Sequence, residues 1–284
     1  METIGNESKA KRFGKAAIDI VSFAALAVII ITIISVPFAT VLLKLGKEEA
    51  DTMSYFILSE TLMLAGVFLS AWIVWHLRGF SLEGLGRSLT MRWKDWLSGI
   101  LLATVLYAVG FGISLWAGAV EIAGVAFNPS SLLISLVFFL LVAVTEELAL
   151  RGFVLERLLQ SGVNKFCALF LSAALFSLIH IGNPNFDFLS FINILLAGIL
   201  LGSSYIYTRN LCFPIALHWF WNWIQGPVLG YEVSGNKFCN GLLALRLSEA
   251  NLINGGAFGF EGSILCTVLM VVGTGVILKL AIND

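Results

Sequence analysis

Long apolar runs are the feature that most constrains how this chain can fold. Eight mostly apolar stretches follow one another, most of them separated by short polar connections. A helix needs roughly 20 apolar residues to cross the hydrocarbon core of a bilayer. Only 12% of the residues are charged and 58% are hydrophobic, whereas soluble domains carry about 25% charged residues. The sequence therefore predicts an all-α, polytopic membrane protein with about eight transmembrane helices.

The domain organisation that follows is simple. Residues 1–15 are a polar tail, and residues 16–284 are a single transmembrane domain. The fourth run can continue through Gly152 to Leu159. The predicted transmembrane helices are Ala16–Leu43, Tyr55–Trp75, Trp96–Ala117, Leu132–Leu150, Phe166–Ile181, Phe186–Tyr207, Phe213–Leu229 and Ser263–Ala281.

The distribution of positive charge predicts the orientation of the helices. With the N-terminus in the cytoplasm, alternation of eight helices places all but four of the 17 lysines and arginines on the cytoplasmic side. This bias agrees with the positive-inside rule and predicts that both termini are cytoplasmic. The net charge of −1 argues against a nucleic-acid partner. The compact length and short loops favour a plasma membrane. The four cysteines show no CxxC spacing, so we expect neither a disulfide framework nor a cysteine metal site.

Three charged residues lie at the end of the fourth run, LLISLVFFLLVAVTEELALR. An ionised carboxylate in hydrocarbon costs roughly 2.5–3.5 kcal/mol on insertion scales, so two adjacent glutamates there suggest a function. Residues four apart share a helix face, which allows Glu147 to pair with Arg151. Neighbouring residues point about 100° apart. Glu146 is therefore free to face an intramembrane polar cavity.

Other polar groups at comparable depth are His180, His218 and Asn222, the last two on one helix face. A glutamate beside a histidine can orient and deprotonate a water molecule. A histidine and an asparagine can donate hydrogen bonds to a developing oxyanion. Together these groups could hydrolyse an amide. Glu146, His180 and His218 are alternatively three zinc-type ligands, but no HExxH motif is present, so the zinc hypothesis is the weaker one.

Three motifs resemble the CPBP family, which comprises the CAAX proteases and bacteriocin-processing enzymes, also called type II CAAX prenyl endopeptidases or Abi proteins. The resemblance covers about Leu132 to Leu229, a protease core of about residues 130–230. The motifs occur in the family's order on separate predicted helices: Glu146-Glu147-x-x-x-Arg151, Phe176-x-x-x-His180 and His218-x-x-x-Asn222.

The resemblance implies an intramembrane endopeptidase with eight helices around a cavity. It implies that Glu146 and His180 activate water and that His218 and Asn222 form the oxyanion hole. The family was formerly regarded as metal-dependent, and the glutamate mechanism implies no cofactor. The implied partners are the lipid bilayer and a peptide or lipidated protein substrate, with prenylated CAAX proteins and bacteriocin precursors both open.

In the same family, the second glutamate and the arginine support the site, which assigns that role to Glu147 and Arg151. Two functions of other classes remain open. A non-catalytic bacteriocin-immunity or membrane partner protein could retain the scaffold. A proton-coupled transporter could also use intramembrane glutamate and histidine residues, although the sequence shows no convincing internal repeat.

Several other polar residues have predicted structural roles. We expect Asp19 and Glu60 to reach water near helix ends, and Asn193 to pack between helices. Glu261 is predicted to favour the last helix through its dipole. Gly198-x-x-x-Gly202 is a small-xxx-small pattern that predicts close helix packing.

Overall fold

The computed structural model describes residues 8–45, 53–79, 90–249 and 252–283. This part of the chain contains eight main helices, one for each predicted run. They are α1 Lys9–Leu45, α2 Met53–Leu77, α3 Trp93–Trp116, α4 Pro129–Gln160, α5 Lys165–Ile179, α6 Phe188–Thr208, α7 Cys212–Trp223 and α8 Ile264–Asn283. The predicted all-α membrane architecture is confirmed.

The helices differ in whether they could cross a bilayer alone. By length and composition, α1 to α4 and α6 are long and apolar enough to do so, whereas α5 and α8 are shorter apolar helices. Helix α7 has only 12 residues. Five of the eight predicted spans are therefore supported by length within the described residues.

Helix α1 begins before its apolar run. Residues 9–15 of the predicted polar tail are helical, and residues 1–7 lie outside the described part. Lysine, alanine and arginine are good helix formers, which explains the extension. The Ser8 hydroxyl accepts a hydrogen bond from the Lys11 amide at 3.3 Å and so satisfies one donor of the first turn.

Helix α4 carries the first motif and is not a regular α-helix throughout. Asn128 caps its start by accepting a hydrogen bond from the Ser131 amide, and proline is well suited to the position that follows. The α-helix ends at Glu147 and continues as a π-helical segment, Leu148–Leu155. A last α-helical turn reaches Gln160, which confirms the expected continuation past Gly152. Such π-segments are common at functional sites.

Helix α7 carries the third motif and packs closely against α3. A Cβ atom at Gly99 of α3 would lie 2.7 Å from both the Leu217 amide nitrogen and the Phe213 carbonyl oxygen. Only glycine allows this approach, which fixes the backbone beside His218. A π-helical turn, Ile224–Val228, continues α7, and it contains Pro227, which cannot donate a backbone hydrogen bond.

The structure contains a two-stranded antiparallel ribbon that the apolar runs did not predict. Strand β1, Val120–Val125, follows α3, and strand β2, Leu243–Leu247, lies in the long connection before α8. Glu121 is opposite Arg246 in the register. The same connection contains two 3₁₀ turns, Gly256–Phe258 and Phe260–Gly262.

Helices α5 and α6 are in close contact, as the small-xxx-small pattern predicted. A Cβ atom at Gly198 would lie 2.7 Å from the Cα atom of Ala173. Gly202 lies against Leu169 in the same interface. The two backbones therefore approach each other at the glycine positions.

Asp19 does not reach water, which makes that prediction wrong. Its side chain is buried between two arginines, with Arg78 Nε 2.6 Å from Oδ1 and Arg157 Nη2 2.7 Å from Oδ2. Arg78 directly follows α2, and Arg157 lies in the last turn of α4. A single carboxylate therefore joins the ends of α2 and α4 to α1.

Candidate active site

A cavity of about 310 Å³ lies among helices α2, α4, α5, α6 and α7. Much of its wall is apolar and aromatic, and ten of the 26 lining side chains are polar or charged. All four predicted catalytic residues, Glu146, His180, His218 and Asn222, line it. The structure thus brings together groups that are up to 76 positions apart in the sequence.

Glu147 is the centre of a buried hydrogen-bonded cluster behind the cavity. Its Oε1 atom accepts hydrogen bonds from Arg151 Nη1 at 2.7 Å and from His218 Nδ1 at 2.9 Å. Both Glu147 and Arg151 have no exposed side-chain surface. Arg151 also donates to the carbonyl of Gly198 at 3.1 Å. The predicted Glu147–Arg151 pair is therefore present, and it connects α4 to α6 and α7.

Glu146 occupies a different environment from its neighbour. Its side chain keeps 22% of its surface exposed, whereas Glu147 keeps none. The Glu146 Oε2 atom lies 3.9 Å from His218 Nε2, too far for a hydrogen bond. Among the described residues this buried oxygen has no hydrogen-bond partner. Because its side chain lines the cavity and keeps part of its surface exposed, Glu146 is available to a molecule that enters the cavity.

His180 ends α5 and is oriented by its own helix. Its Nδ1 atom lies 2.7 Å from the carbonyl oxygen of Phe176, one turn earlier. Because a carbonyl can only accept, Nδ1 carries the proton and the neutral ring keeps its lone pair on Nε2. The Phe176 ring packs against His180 at 4.7 Å and under the Arg151 guanidinium at 4.7 Å. The spacing of the second motif thus has a structural basis.

Asn222 lies one turn after His218 on α7 and is also buried at the cavity wall. Within the described parts of the chain, no side chain or backbone group forms a hydrogen bond with its carboxamide. The flanking Trp221 is held by an indole N–H that donates to Glu261 Oε1 at 3.0 Å. The amide of Asn222 can therefore donate to an atom inside the cavity.

Glu261 does not serve as the helix-dipole residue that the sequence predicted. It lies in the 3₁₀ turn before α8, and its carboxylate is buried against α7 and the long connection before α8. Besides Trp221, the donors to Glu261 are Gln225 Nε2 and both the amide and the hydroxyl of Ser234. The Gln225 side chain is in turn bonded to the Tyr107 hydroxyl. Glu261 thus holds this long connection over one end of the cavity.

Glu60 is a cavity residue that sequence reasoning missed. It was expected to reach water, but only 6% of its surface is exposed, and it lines the same cavity as Glu146. Its position seven residues after the start of α2 gave no indication of this. Its burial results from the packing of α2 on α4, where Thr145 interacts with the Glu60 side chain.

Asn193 has the structural role that the sequence predicted. Its side-chain amide donates to the carbonyls of Glu261 and Ser263 at 2.7 and 2.8 Å, and it accepts a hydrogen bond from Thr267. These bonds join α6 to the start of α8. Asn193 therefore supports the wall of the cavity without entering it.

The proposed zinc ligands do not form a metal site in this arrangement. Among the described residues, no three His, Cys, Asp or Glu side chains are placed to share a metal ion. Glu146, His180 and His218 are therefore not assembled around a common metal position.

Fold and cavity together define a polytopic α-helical membrane protein with a carboxylate–histidine site enclosed by its helices. Residues 128–224, about a third of the chain, match the family model described as type II CAAX prenyl endopeptidase Rce1-like. This match contains all three motifs and confirms the resemblance to the CPBP family. Searches of curated proteins and of solved structures found no match.

Proposed function

We propose that the protein is an intramembrane endopeptidase that hydrolyses a peptide bond of a membrane-associated protein or peptide. The observation that carries this proposal is the presence of Glu146, His180, His218 and Asn222 on the wall of one cavity. The match to a family of prenyl endopeptidases over the same residues supports it.

Glu146 and His180 activate the attacking water molecule. The neutral His180 ring offers the Nε2 lone pair as a hydrogen-bond acceptor, because Nδ1 donates to Phe176. A water molecule held there can transfer a proton to the Glu146 carboxylate as its oxygen attacks the substrate carbonyl carbon. Glu146 then passes that proton to the leaving amine when the C–N bond breaks. The products are one carboxylic acid and one amine.

His218 and Asn222 stabilise the oxyanion. The Nδ1 atom of His218 donates to Glu147. The ring can donate from Nε2 as well only when it is an imidazolium, and Glu147 and Glu146 would balance that positive charge. Asn222 supplies a second donor from the same helix face. Donors fixed before the reaction stabilise the charge that develops in the transition state. Glu147 and Arg151 act as positioning residues that hold the His218 ring.

The substrate class follows from the setting of the site. A cavity enclosed by apolar helices favours a segment already in the bilayer, which includes a lipidated, CAAX-type protein or a precursor peptide. We place both termini in the cytoplasm and the protein in the cell membrane, as the charge distribution predicts. The reaction uses no metal ion, so a chelator should leave the rate unchanged.

The proposal is tested with membranes that contain the wild type or His180→Ala, incubated with candidate peptides and analysed by mass spectrometry. Loss of one member of the water-activating pair should lower the rate by roughly 10² to 10⁴-fold. Glu121→Gln, at an exposed position on β1, is the matched control and should cleave normally. Cleavage by His180→Ala at the wild-type rate would refute the assignment of the water-activating pair.

A further inference from the structure

Glu60 combines burial with an unsatisfied oxygen atom. Its exposed fraction is 6%, and among the described residues its Oε1 atom has no hydrogen-bond partner. The residue lies on the cavity wall next to Ser59 and Met63 of α2. It also lies outside residues 128–224, the segment that matches the family model. The mechanism proposed above does not use it.

The cavity offers Glu60 no permanent cation. No lysine or arginine lines it, and Glu60 has no ion pair with any residue in the described ranges. The nearby ionisable groups are Glu146 and His218, and His218 is already bonded to Glu147. Arg151, which does not line the cavity, is paired with Glu147. Glu60 therefore has no dedicated cationic partner among the described residues.

The other carboxylates of the cavity have identified roles. Glu261 accepts hydrogen bonds on both oxygens, from Trp221, Gln225 and Ser234. Glu146 is the proposed base. Among the described residues that line the wall, Glu60 is then the acidic group to which the mechanism assigns no role.

A cation entering the cavity would find in Glu60 a carboxylate that folding has already removed from water. The desolvation cost of the carboxylate has been met on folding, so only the cation loses its hydration when the two groups pair. In a low-dielectric cavity the resulting attraction is stronger than in water. Glu60 is thus preorganised to favour a substrate with a positively charged group over one with a neutral group at the same place.

We propose that Glu60 is a specificity-determining residue that binds a cationic group of the substrate, a lysine or arginine side chain close to the scissile bond. This inference rests on the proposed endopeptidase function. It restricts the substrate class to peptides that bring a positive charge into the membrane cavity.

The test compares peptide pairs that differ only by lysine or norleucine at each position flanking the scissile bond, because norleucine keeps the length and removes the charge. The readout is the ratio of kcat/KM for the two peptides. At one position we expect the wild type to favour lysine by at least about tenfold. Glu60→Gln should reduce that ratio to about one, whereas Glu121→Gln should keep it. Thermal unfolding checks that both variants are folded.

Equal kcat/KM for both peptides at every position in the wild type would overturn the inference, as would a lysine preference that survives in Glu60→Gln. Failure of the wild type to cleave any peptide would count against the proposed function instead. In that case, fluorescence anisotropy with the same labelled peptides decides whether Glu60 binds a cation. Tighter binding of the lysine peptide by the wild type, lost in Glu60→Gln, supports the inference, and equal binding refutes it.

Discussion

Glu146 and Glu147 are adjacent in the sequence and differ in almost every physical respect. Helical geometry separates neighbouring side chains by about 100°, and this predicted both the Glu147–Arg151 pair and the free carboxylate of Glu146. The bond from His218 to Glu147 could not be predicted in this way. It joins residues on two helices that are 71 positions apart, and it depends on how α7 packs against α4.

The residues that were predicted wrongly share one cause. Asp19, Glu60 and Glu261 were all interpreted from their distance to a helix end, which describes one helix at a time. Each is buried by a neighbouring element: the ends of α2 and α4 cover Asp19, α4 covers Glu60, and the long connection before α8 covers Glu261. Local sequence contains no information about these neighbours.

The buried ion pair leads to a prediction about stability. Arg151→Met leaves the Glu147 carboxylate buried with one donor fewer, and breaking such a pair costs about 3–5 kcal/mol. Arg246→Met removes an exposed partner of Glu121 on the ribbon, 3.9 Å away, and should cost less than about 1 kcal/mol. Reversible unfolding in detergent micelles measures both free energies. Equal losses in the two variants would show that the Glu147–Arg151 pair does not stabilise the fold.

The oxyanion role of Asn222 leads to a kinetic prediction. Asn222→Ala removes a donor that acts in the transition state, so kcat should fall by roughly 10² to 10³-fold while KM changes little. Steady-state kinetics on one cleaved peptide provide both constants. A rise in KM at unchanged kcat would show that Asn222 binds substrate without stabilising the oxyanion.

At the scale of elements, the positions of the helices were predictable because apolar length alone determines where a membrane helix forms. The π-helical segments after Glu147 and Trp223 were not predicted, because a run of apolar residues does not distinguish a π-helical turn from an α-helical one. The ribbon of β1 and β2 was missed because its strands are about 120 residues apart and stabilise each other only after folding. The contact of α5 with α6 was predicted, because glycine spacing is a local property.

Gly198 leads to a prediction at this scale. Gly198→Ala places a Cβ atom 2.7 Å from the Cα of Ala173, so α5 and α6 must move apart at a cost of about 1–3 kcal/mol. The backbone carbonyl of Gly198 accepts a hydrogen bond from Arg151, so cleavage should also decrease. The control is Gly112→Ala in α3, where no atom lies within 4 Å of the new Cβ. Thermal unfolding of both variants measures the difference, and equal stabilities would contradict the packing argument.

At the scale of the whole molecule, the number of spans determines where the termini lie. Eight spans place both termini on one side, whereas a short α7 that does not cross would place them on opposite sides. The test uses a cysteine-free protein with one new cysteine, Lys9→Cys or Glu121→Cys, in intact cells. The cysteine-free background also lacks the native Cys239. Burial raises the pKa of that thiol and slows its reaction with the maleimide, but the thiol could still be labelled.

We expect an impermeant maleimide to label Glu121→Cys on the outer ribbon in intact cells, and Lys9→Cys only after permeabilisation. A cysteine appended to the C-terminus should behave like Lys9→Cys. Opposite labelling of the two termini would contradict the eight-span topology and the cytoplasmic placement of both ends.

Peptide cleavage by purified protein in liposomes tests the central claim most directly. The substrates are quenched-fluorescence peptides, lipidated and plain, and the wild type is compared with Glu146→Gln, which keeps the shape of the side chain and cannot accept a proton. The account predicts turnover by the wild type alone, with the lipidated and plain sets showing whether an anchor is required. Equal turnover by both proteins, or none by either when both are folded, would contradict it and favour a non-catalytic membrane partner.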